Sequence, residues 1–336
     1  MARARTITDW RGATLAFEKP PSRVVSLVPS LTETLFALGV GNRVVGVSRY
    51  CIHPAQEVAA RRDVGGTKNP DLDAIVSLRP DLVMMNAEEN HKIDVERLEQ
   101  RGLRVHVSFP KSVDDVVASL RDLGAIFEAC EPAESMISQI ETARRAAARH
   151  RPDPPPCALY LVWWKPIITI GPGTYIADLL GAAGARVPLR DREDRYPRIT
   201  LAEMAAASPD LVLLSSEPYP FSEAERREIQ GANLWPDSAA ARVRFVDGEL
   251  ASWHGARTAR GIAYLSRVLG GADPPAEAVP GSADDVPSPC IGVCELDERT
   301  RVCRGCARTI EEIAGWSRFS AKEKRAVLRR LATKGD

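Results

Sequence analysis

LRPDLVMMNAEE at residues 78–89 and ASPDLVLLSSEP at residues 207–218 decide how this chain is read. Pro80, Asp81, Leu82 and Val83 recur as Pro209, Asp210, Leu211 and Val212, each 129 positions later (209 − 80). Glu88 and Glu217 share that offset, and so do Leu72 and Leu201. Pro-Asp-Leu-Val is also an ordinary passage from a helix into a buried strand, so a single match would carry little. Several matches at one offset point instead to two duplicated lobes. A second pairing sets Thr32, Leu38 and Gly39 against Thr174, Leu180 and Gly181 at an offset of 142. The two offsets require a net insertion of 13 residues (142 − 129) between the pairings.

Outward from the first copy, strand-like and helix-like runs alternate. RVVSLVPS (23–30), RVVGVS (43–48), DLVMMN (81–86) and LRVHVSF (103–109) read as strands. LTETLFALGVG (31–41), stopped by Gly39 and Gly41, LDAIVSLRP (72–80) and VERLEQRG (95–102) read as helices. Such alternation predicts an α/β fold with parallel sheets covered on both faces. Between the copies lies EPAESMISQIETARRAAARHRP (131–152), with Met136, Ile137 and Ile140 at helical spacing. Pro132 suits a first turn and Pro152 ends the pattern. A helix of about 20 residues, roughly 30 Å long, would join the lobes as a strut.

The expected organisation is therefore an N-terminal extension (1–21) able to form a hairpin, lobe one (22–130), the connecting helix (131–152) and lobe two (153–270). A Pro/Ala/Gly/Asp-rich linker (271–289) follows, then a small metal-stapled α-helical domain (290–336). The 45 basic and 45 acidic residues cancel, so the chain has no general pull toward nucleic acid or anionic membrane. No apolar run is long enough to span a bilayer. Arg3 and Arg5 are followed by Asp9, Trp10, Arg11 and Gly12 rather than by an apolar signal core. The expected location is the cytoplasm, with the periplasm as the alternative.

Ligands of open α/β sheets sit beyond the carboxyl ends of strands. The residues there are Pro29, Ser30 and Thr32; Arg49, Tyr50, Cys51 and His53; and Glu88, Glu89, Asn90 and His91. Lobe two supplies Trp163, Trp164 and Lys165; Ser216, Glu217, Tyr219 and Phe221; and Trp253, His254 and Arg257. Flat aromatic faces suit a large rigid ligand such as a corrinoid or haem, and a histidine can donate an axial nitrogen to its metal. Trp163 and Trp164 are equally readable as core residues, and His53 and His91 as surface ones. Cys51 and His53 make a two-ligand pair, a weak metal signal. No Walker loop, GxGxxG after the first strand, GxSxG or HExxH is present, which weighs against an enzyme.

RVVSLVPSLTETLFALGVGNRVVGVSRYC (23–51), VGGTKNPDLDAIVSLRPDLV (64–83) and IGPGTYIADLLGAAGA (170–185) resemble the helical-backbone substrate-binding proteins of cobalamin, iron-siderophore and metal uptake systems. The resemblance implies two lobes on one long helix that clasp a metal chelate, and in transport members a membrane permease to receive it. Without an export signal, the chain looks like a cytosolic member of that superfamily.

The tail holds Cys290, Cys294, Cys303 and Cys306 in a C-x3-C-x8-C-x2-C pattern. Four adjacent thiolates require a cation, and tetrahedral zinc or an iron–sulfur cluster both meet that need. ARTIEEIAGW starts a helix after Cys306, and FSAKEKRAVLRRL forms a second with Ser320 as N-cap and Glu323 at the capping-box position. SPCIGVC and CRGCARTIEEIAGW resemble a short bacterial family of unknown function described as iron–sulfur-binding. Lys322, Lys324, Arg325, Arg329 and Arg330 crowd the final helix, which leaves a solvated face, an acidic protein partner or nucleic acid as readings. The expectation is a two-lobed receptor for a corrinoid or related chelate, carrying a thiolate metal site. The alternatives are an enzyme or metallochaperone acting on the chelate, and the substrate-binding component of an ABC uptake system.

Overall fold

The computed structural model describes residues 5–189, 191–232, 234–235, 243–271, 297, 302–303, 307–316, 319 and 321–332. The chain opens with an antiparallel hairpin of β1 (Arg5–Thr8) and β2 (Thr14–Phe17). Leu15 and Phe17 turn inward in period-two alternation. Lobe one follows as β3 (Val24–Ser26), α1 (Pro29–Ala37), β4 (Val44–Val47), α2 (Ala55–Ala59), β5 (Arg62–Asp63), α3 (Leu72–Ser77), β6 (Leu82–Asn86), α4 (Lys92–Gln100), β7 (Val105–Ser108) and α5 (Val113–Phe127). Its five strands are all parallel, in the order β5-β4-β3-β6-β7.

The strut is α6 (Cys130–Arg149), 20 residues long, with Pro132 in its first turn where the missing N–H costs nothing. Lobe two contains β8 (Ala158–Trp163), β9 (Ile167–Thr169), α7 (Tyr175–Ala183), β10 (Arg198–Ile199), α8 (Leu201–Ala206), β11 (Leu211–Ser215), α9 (Glu223–Gly231), β12 (Val243–Val246), α10 (Gly248–Ser252) and α11 (Thr258–Leu269). The strand order is β10-β9-β8-β11-β12.

The echoed motif has a structural cause. Helices α3 and α8 start, and strands β6 and β11 start and end, at the same 129-residue offset. Arg79 (φ 46°) and Ser208 (φ 43°), also 129 apart, both leave the helix in the left-handed region. The proline that follows then prevents resumption of the helix. The Asp81 amide donates to the Arg23 carbonyl at 2.7 Å, while its carboxylate accepts from Arg23 N at 2.9 Å. The Asp210 amide donates to the Cys157 carbonyl at 2.8 Å, and its carboxylate accepts from Cys157 N at 2.7 Å. Each Pro-Asp therefore clamps its strand beside the start of the lobe's central strand, and Leu-Val enters the core.

Two sequence expectations need correction. The 142-residue pairing does not match helix ends. Helix α1 ends at Gly39 (φ +78°) and α7 at Gly184 (φ +109°), 145 apart, whereas Gly181 lies inside α7. The lobe-two sheet is also not wholly parallel. β9 runs antiparallel to β8 because only Trp164, Lys165 and Pro166 connect them, too few for a crossover.

Buried Ala133, Ile137, Ile140 and Ala147 line one face of α6. One apolar cluster joins Ile137, Ile140 and Ala147 to Val113, Val116 and Leu120 of α5 and to Leu179, Ile262 and Leu265 of lobe two, while Ala133 packs into the lobe-one core. No helix of the described residues is long and apolar enough to cross a membrane. In the tail, Thr309 and Glu312 form a capping box at the start of α12 (Ile310–Gly315). Arg330 of α13 (Ala321–Ala332) donates to Glu312 at 3.1 Å, so this basic residue is already engaged within the tail. The linker beyond Gly271, Cys290, Cys294, Cys306 and Ser320 lie outside the described residues.

Candidate functional site

The lobes meet where the loops after the strands face each other. On one flank, α1 of lobe one lies against residues 252–258 of lobe two. Ser30, 6% exposed, places its hydroxyl 3.4 Å from Nε2 of His254. Thr34 Oγ1 accepts from the Ala256 amide at 3.1 Å and donates to Ser30 O at 2.7 Å. Gly255 (φ +89°) makes this approach feasible, because a Cβ there would stand 2.2 Å from Thr34 Oγ1. Arg257 bridges Glu33 of lobe one and Glu249 of lobe two, each at 2.6 Å, and lies over the Trp253 ring at 4.7 Å. His53, after β4, reaches Glu249 at 3.2 Å and stands edge-on to Trp253 with ring centroids 5.7 Å apart. Tyr50 beside it is exposed.

On the other flank, Glu88 after β6 pairs with Arg195 of lobe two at 3.1 Å, and the Arg195 guanidinium lies 5.5 Å over the Tyr196 ring. Arg195 also stacks over Phe109, which follows β7, at 4.6 Å. Its Nε donates to Gly173 O at 2.8 Å, fixing the guanidinium in lobe two.

Between the flanks sits Glu217, after β11. Its carboxylate accepts from Trp253 Nε1 at 2.7 Å and from Ser252 Oγ at 2.9 Å. Burial, with Glu249 and Asp247 nearby, pushes its pKa up to about 7. Glu217 therefore orients Trp253, which in turn presents its ring to His53 and Arg257. Burial also pushes His254 down to about 4, which leaves a neutral imidazole at pH 7 beside Tyr175 and Ser30. Trp163, at the end of β8, is 41% exposed and packs edge-on against Tyr219 with centroids 5.4 Å apart.

Several expected residues fall elsewhere. Trp164 is buried in lobe two, where its Nε1 donates to Glu228 at 3.2 Å and its ring meets Phe221 edge-on. Period two along the strand end puts Trp163 and Trp164 on opposite faces, so they cannot share one ligand face. Cys51 is buried in the lobe-one core between Thr32 Oγ1 (3.1 Å) and Ser48 Oγ (3.2 Å), and burial raises its thiol. His53 faces lobe two, so the Cys51–His53 pair does not assemble. Pro29 is the first residue of α1 and offers no N–H. Glu88 and Glu217 are turned into the junction rather than outward. No group of three or more His, Cys, Asp or Glu able to hold a metal occurs among the described residues, which include Cys303 alone of the four tail cysteines. Strand-end reasoning missed Arg195, because its loop follows no recognisable strand. It also missed Glu33, Thr34 and Glu249, which project from helices.

Residues 24–246 match the family described as "Periplasmic binding protein", and residues 288–334 match one described as "Protein of unknown function (DUF1289)". The vitamin B12-binding protein of Vibrio cholerae is 24% identical over 231 residues, which cover 66% of this chain and 82% of that one. An uncharacterised ABC transporter substrate-binding lipoprotein of Bacillus subtilis is 26% identical over 275 residues, covering 79% and 85%. The crystal structure of the periplasmic vitamin B12 binding protein of Vibrio cholerae superposes with a TM-score of 0.66 at 22% identity, covering 75% of this chain and 97% of that one. These relatives overturn the expected cytoplasmic location and favour a periplasmic or extracellular one. The physical reason is local: Asp9 to Gly12, read as the interruption of a signal core, form the turn of the folded β1–β2 hairpin and bear on no leader. The matched span takes in lobe one, α6 and lobe two as far as β12, with α10 and α11 beyond it, and the chain belongs to the periplasmic binding protein family.

Proposed function

We propose that this chain is the substrate-binding component of an ABC-type uptake system and that its interlobe cleft clasps a corrinoid or a related metal chelate such as haem. The observation that carries this reading is the lining of the junction. Exposed aromatic rings (Tyr50 and Trp163) accompany a neutral histidine (His254) at the carboxyl ends of two duplicated sheets. Trp253 and Ser30 complete the wall, and His53, held by Glu249, is a second imidazole within reach of a chelated metal. In this reading Glu88 exchanges Arg195 for ligand or solvent when the lobes part. Glu217 holds Trp253 in place. The relatives named for vitamin B12 support the chelate class, and the lipoprotein relative supports the transport role.

The test is titration of the purified chain with cyanocobalamin, haemin and a ferric hydroxamate, followed by tryptophan fluorescence and by the ligands' visible bands. One ligand is expected to bind saturably with micromolar or tighter affinity. Trp163→Ala should weaken it by about tenfold, in keeping with about 1–2 kcal/mol for a lost aromatic face. His254→Ala should alter the visible band of a bound metal centre. Absence of saturable binding by all three chelates overturns the ligand class. For the tail, Cys290, Cys294, Cys303 and Cys306 are assigned to one thiolate-bound zinc or iron–sulfur cluster. Metal analysis of the wild type against Cys303→Ser tests this, with metal lost in the variant as the expected result and equal content as the refuting one.

A further inference from the structure

At its β7 edge, the lobe-one sheet is covered by the turn of the N-terminal hairpin. Asp9 accepts from the Val107 amide at 3.1 Å and from Arg11, and Arg11 donates to the Val105 carbonyl at 2.8 Å. These two side chains occupy hydrogen-bonding positions that a further strand would otherwise fill. They leave a cavity of about 200 Å³ between the turn, β7 and α5, lined by Trp10, His106, Ser108, Phe109, Ser119 and Asp122 among others.

The polar groups of this cavity are not in balance. His106 is 4% exposed, yet its Nδ1 has no hydrogen-bond partner. Val105 and Val107 face the α3–α4 side of the sheet, so the alternation along β7 turns His106 toward the hairpin and α5. Asp122 is half-buried on α5, its carboxyl raised by burial, with no hydrogen bond or ion pair among the described residues. Trp10 is 53% exposed and meets Phe109 edge-on with centroids 4.7 Å apart. Phe109 already carries two cations, Arg195 at 4.6 Å and Lys111 at 4.9 Å, whereas no cation lies over Trp10 among the described residues.

We propose that the cavity is a second ligand site, which takes a small organic cation of the alkylammonium class. Asp122 supplies the counter-charge and Trp10 offers the free ring face. A space of about 200 Å³ suits a small amine and falls short of what a corrinoid or haem needs. A bare metal ion fits less well, because no three-ligand group of His, Cys, Asp and Glu forms among the described residues. The cavity shares the Phe109 ring with the Glu88 flank of the cleft, and the amine titration below and the chelate titration above test the two readings separately.

The test is a ¹H–¹⁵N titration of the full chain with n-butylammonium, with n-butanol and butyrate as neutral and anionic controls. Saturable shifts of the Trp10 indole and of the Val107 and Ser119 amides are expected with butylammonium alone. Asp122→Asn should weaken binding by about tenfold, the loss of one charge-assisted contact. Asp122→Glu should restore part of it, and Trp10→Ala should weaken it too. Asp122 has no partner to lose and its carboxyl is raised by burial, so Asp122→Asn should melt no lower than the wild type. Shifts that do not saturate, that match for the three probes, or that persist unchanged in Asp122→Asn would show a merely water-filled cavity and overturn the proposal.

Discussion

Glu217→Gln should stabilise the protein, and more so as pH rises. The native carboxyl has a pKa of about 7, against 4.5 for the ordinary group, and the main cause is burial. The folded chain thus binds this proton more tightly than the unfolded chain. Its contribution is fully present below about pH 4.5 and is lost as pH rises through 7. A difference of about 2.5 units at 1.36 kcal/mol per unit is about 3 kcal/mol. Glutamine cannot ionise, yet it keeps an acceptor oxygen for Trp253 Nε1 and Ser252 Oγ. The variant should match the wild type near pH 4.5 and exceed it by about 3 kcal/mol at pH 8, or about 6–12 °C in melting temperature for lobes of this size. Urea and thermal unfolding of both proteins at pH 5, 6.5 and 8 give the difference curve, in which every other titrating group cancels. A flat difference, or a less stable variant at pH 8, would mean that the two hydrogen bonds outweigh burial and would refute the reasoning.

Three further outcomes follow from the same structure. Arg257→Ala leaves Glu33 and Glu249 facing each other across the lobe junction and should cost about 3 kcal/mol in urea unfolding; a loss below about 0.5 kcal/mol would remove the ion pair from the account of the junction. Gly255→Ala should cost about 1–3 kcal/mol through its positive φ and the collision with Thr34, and Thr34→Ala in the same chain should recover part of that loss. His106 is pushed down to about 4 by burial, so its contribution is present above its ordinary 6.5 and is lost as pH falls toward 4; His106→Gln should flatten the acid limb of the melting profile by about 3 kcal/mol, and an unchanged limb would contradict it.

The duplicated architecture was legible because the same backbone problem occurs twice. Each lobe ends a helix, turns and clamps a strand beside its central neighbour, and Pro-Asp-Leu-Val answers each step with one residue type. The strut was legible because Met136, Ile137 and Ile140 repeat at helical spacing over a segment bounded by prolines. The β8–β9 reversal was hidden. Trp163, Trp164 and Lys165 read as a strand end followed by ligand-facing side chains, and only pairing with Ile167–Thr169 shows that the chain folds straight back. The cleft was half legible. The structure brings Ser30, His53, Glu88, Trp253 and His254 of the strand-end candidates to the lobe junction, whereas Glu33, Glu249 and Arg195, which pair with Arg257, His53 and Glu88, sit on helices or in a charged loop. Location was misread because the polar turn of a hairpin and a broken signal core have the same composition.

The two flanks of the cleft differ in what it costs to part them. Arg257 is 9% exposed at its side chain, carries two carboxylates and a ring, and sits beside the Gly255–Thr34 approach, which has no room for a methyl group. Separating that seam exposes a buried charge and three hydrogen-bonded elements together, a penalty of several kcal/mol. The Glu88–Arg195 pair is 27% and 28% exposed, about three times as open as Arg257. A pair of that kind contributes about 0–1 kcal/mol. In the clasp reading proposed above, opening would begin on the Glu88 flank, with α5 and α6 holding the lobes together through their shared apolar cluster. In that reading a ligand entering there would meet Phe109, Arg195 and Tyr196 first. The neutral His254 and the Trp253 ring fixed by Glu217 lie deeper, against the seam that stays shut.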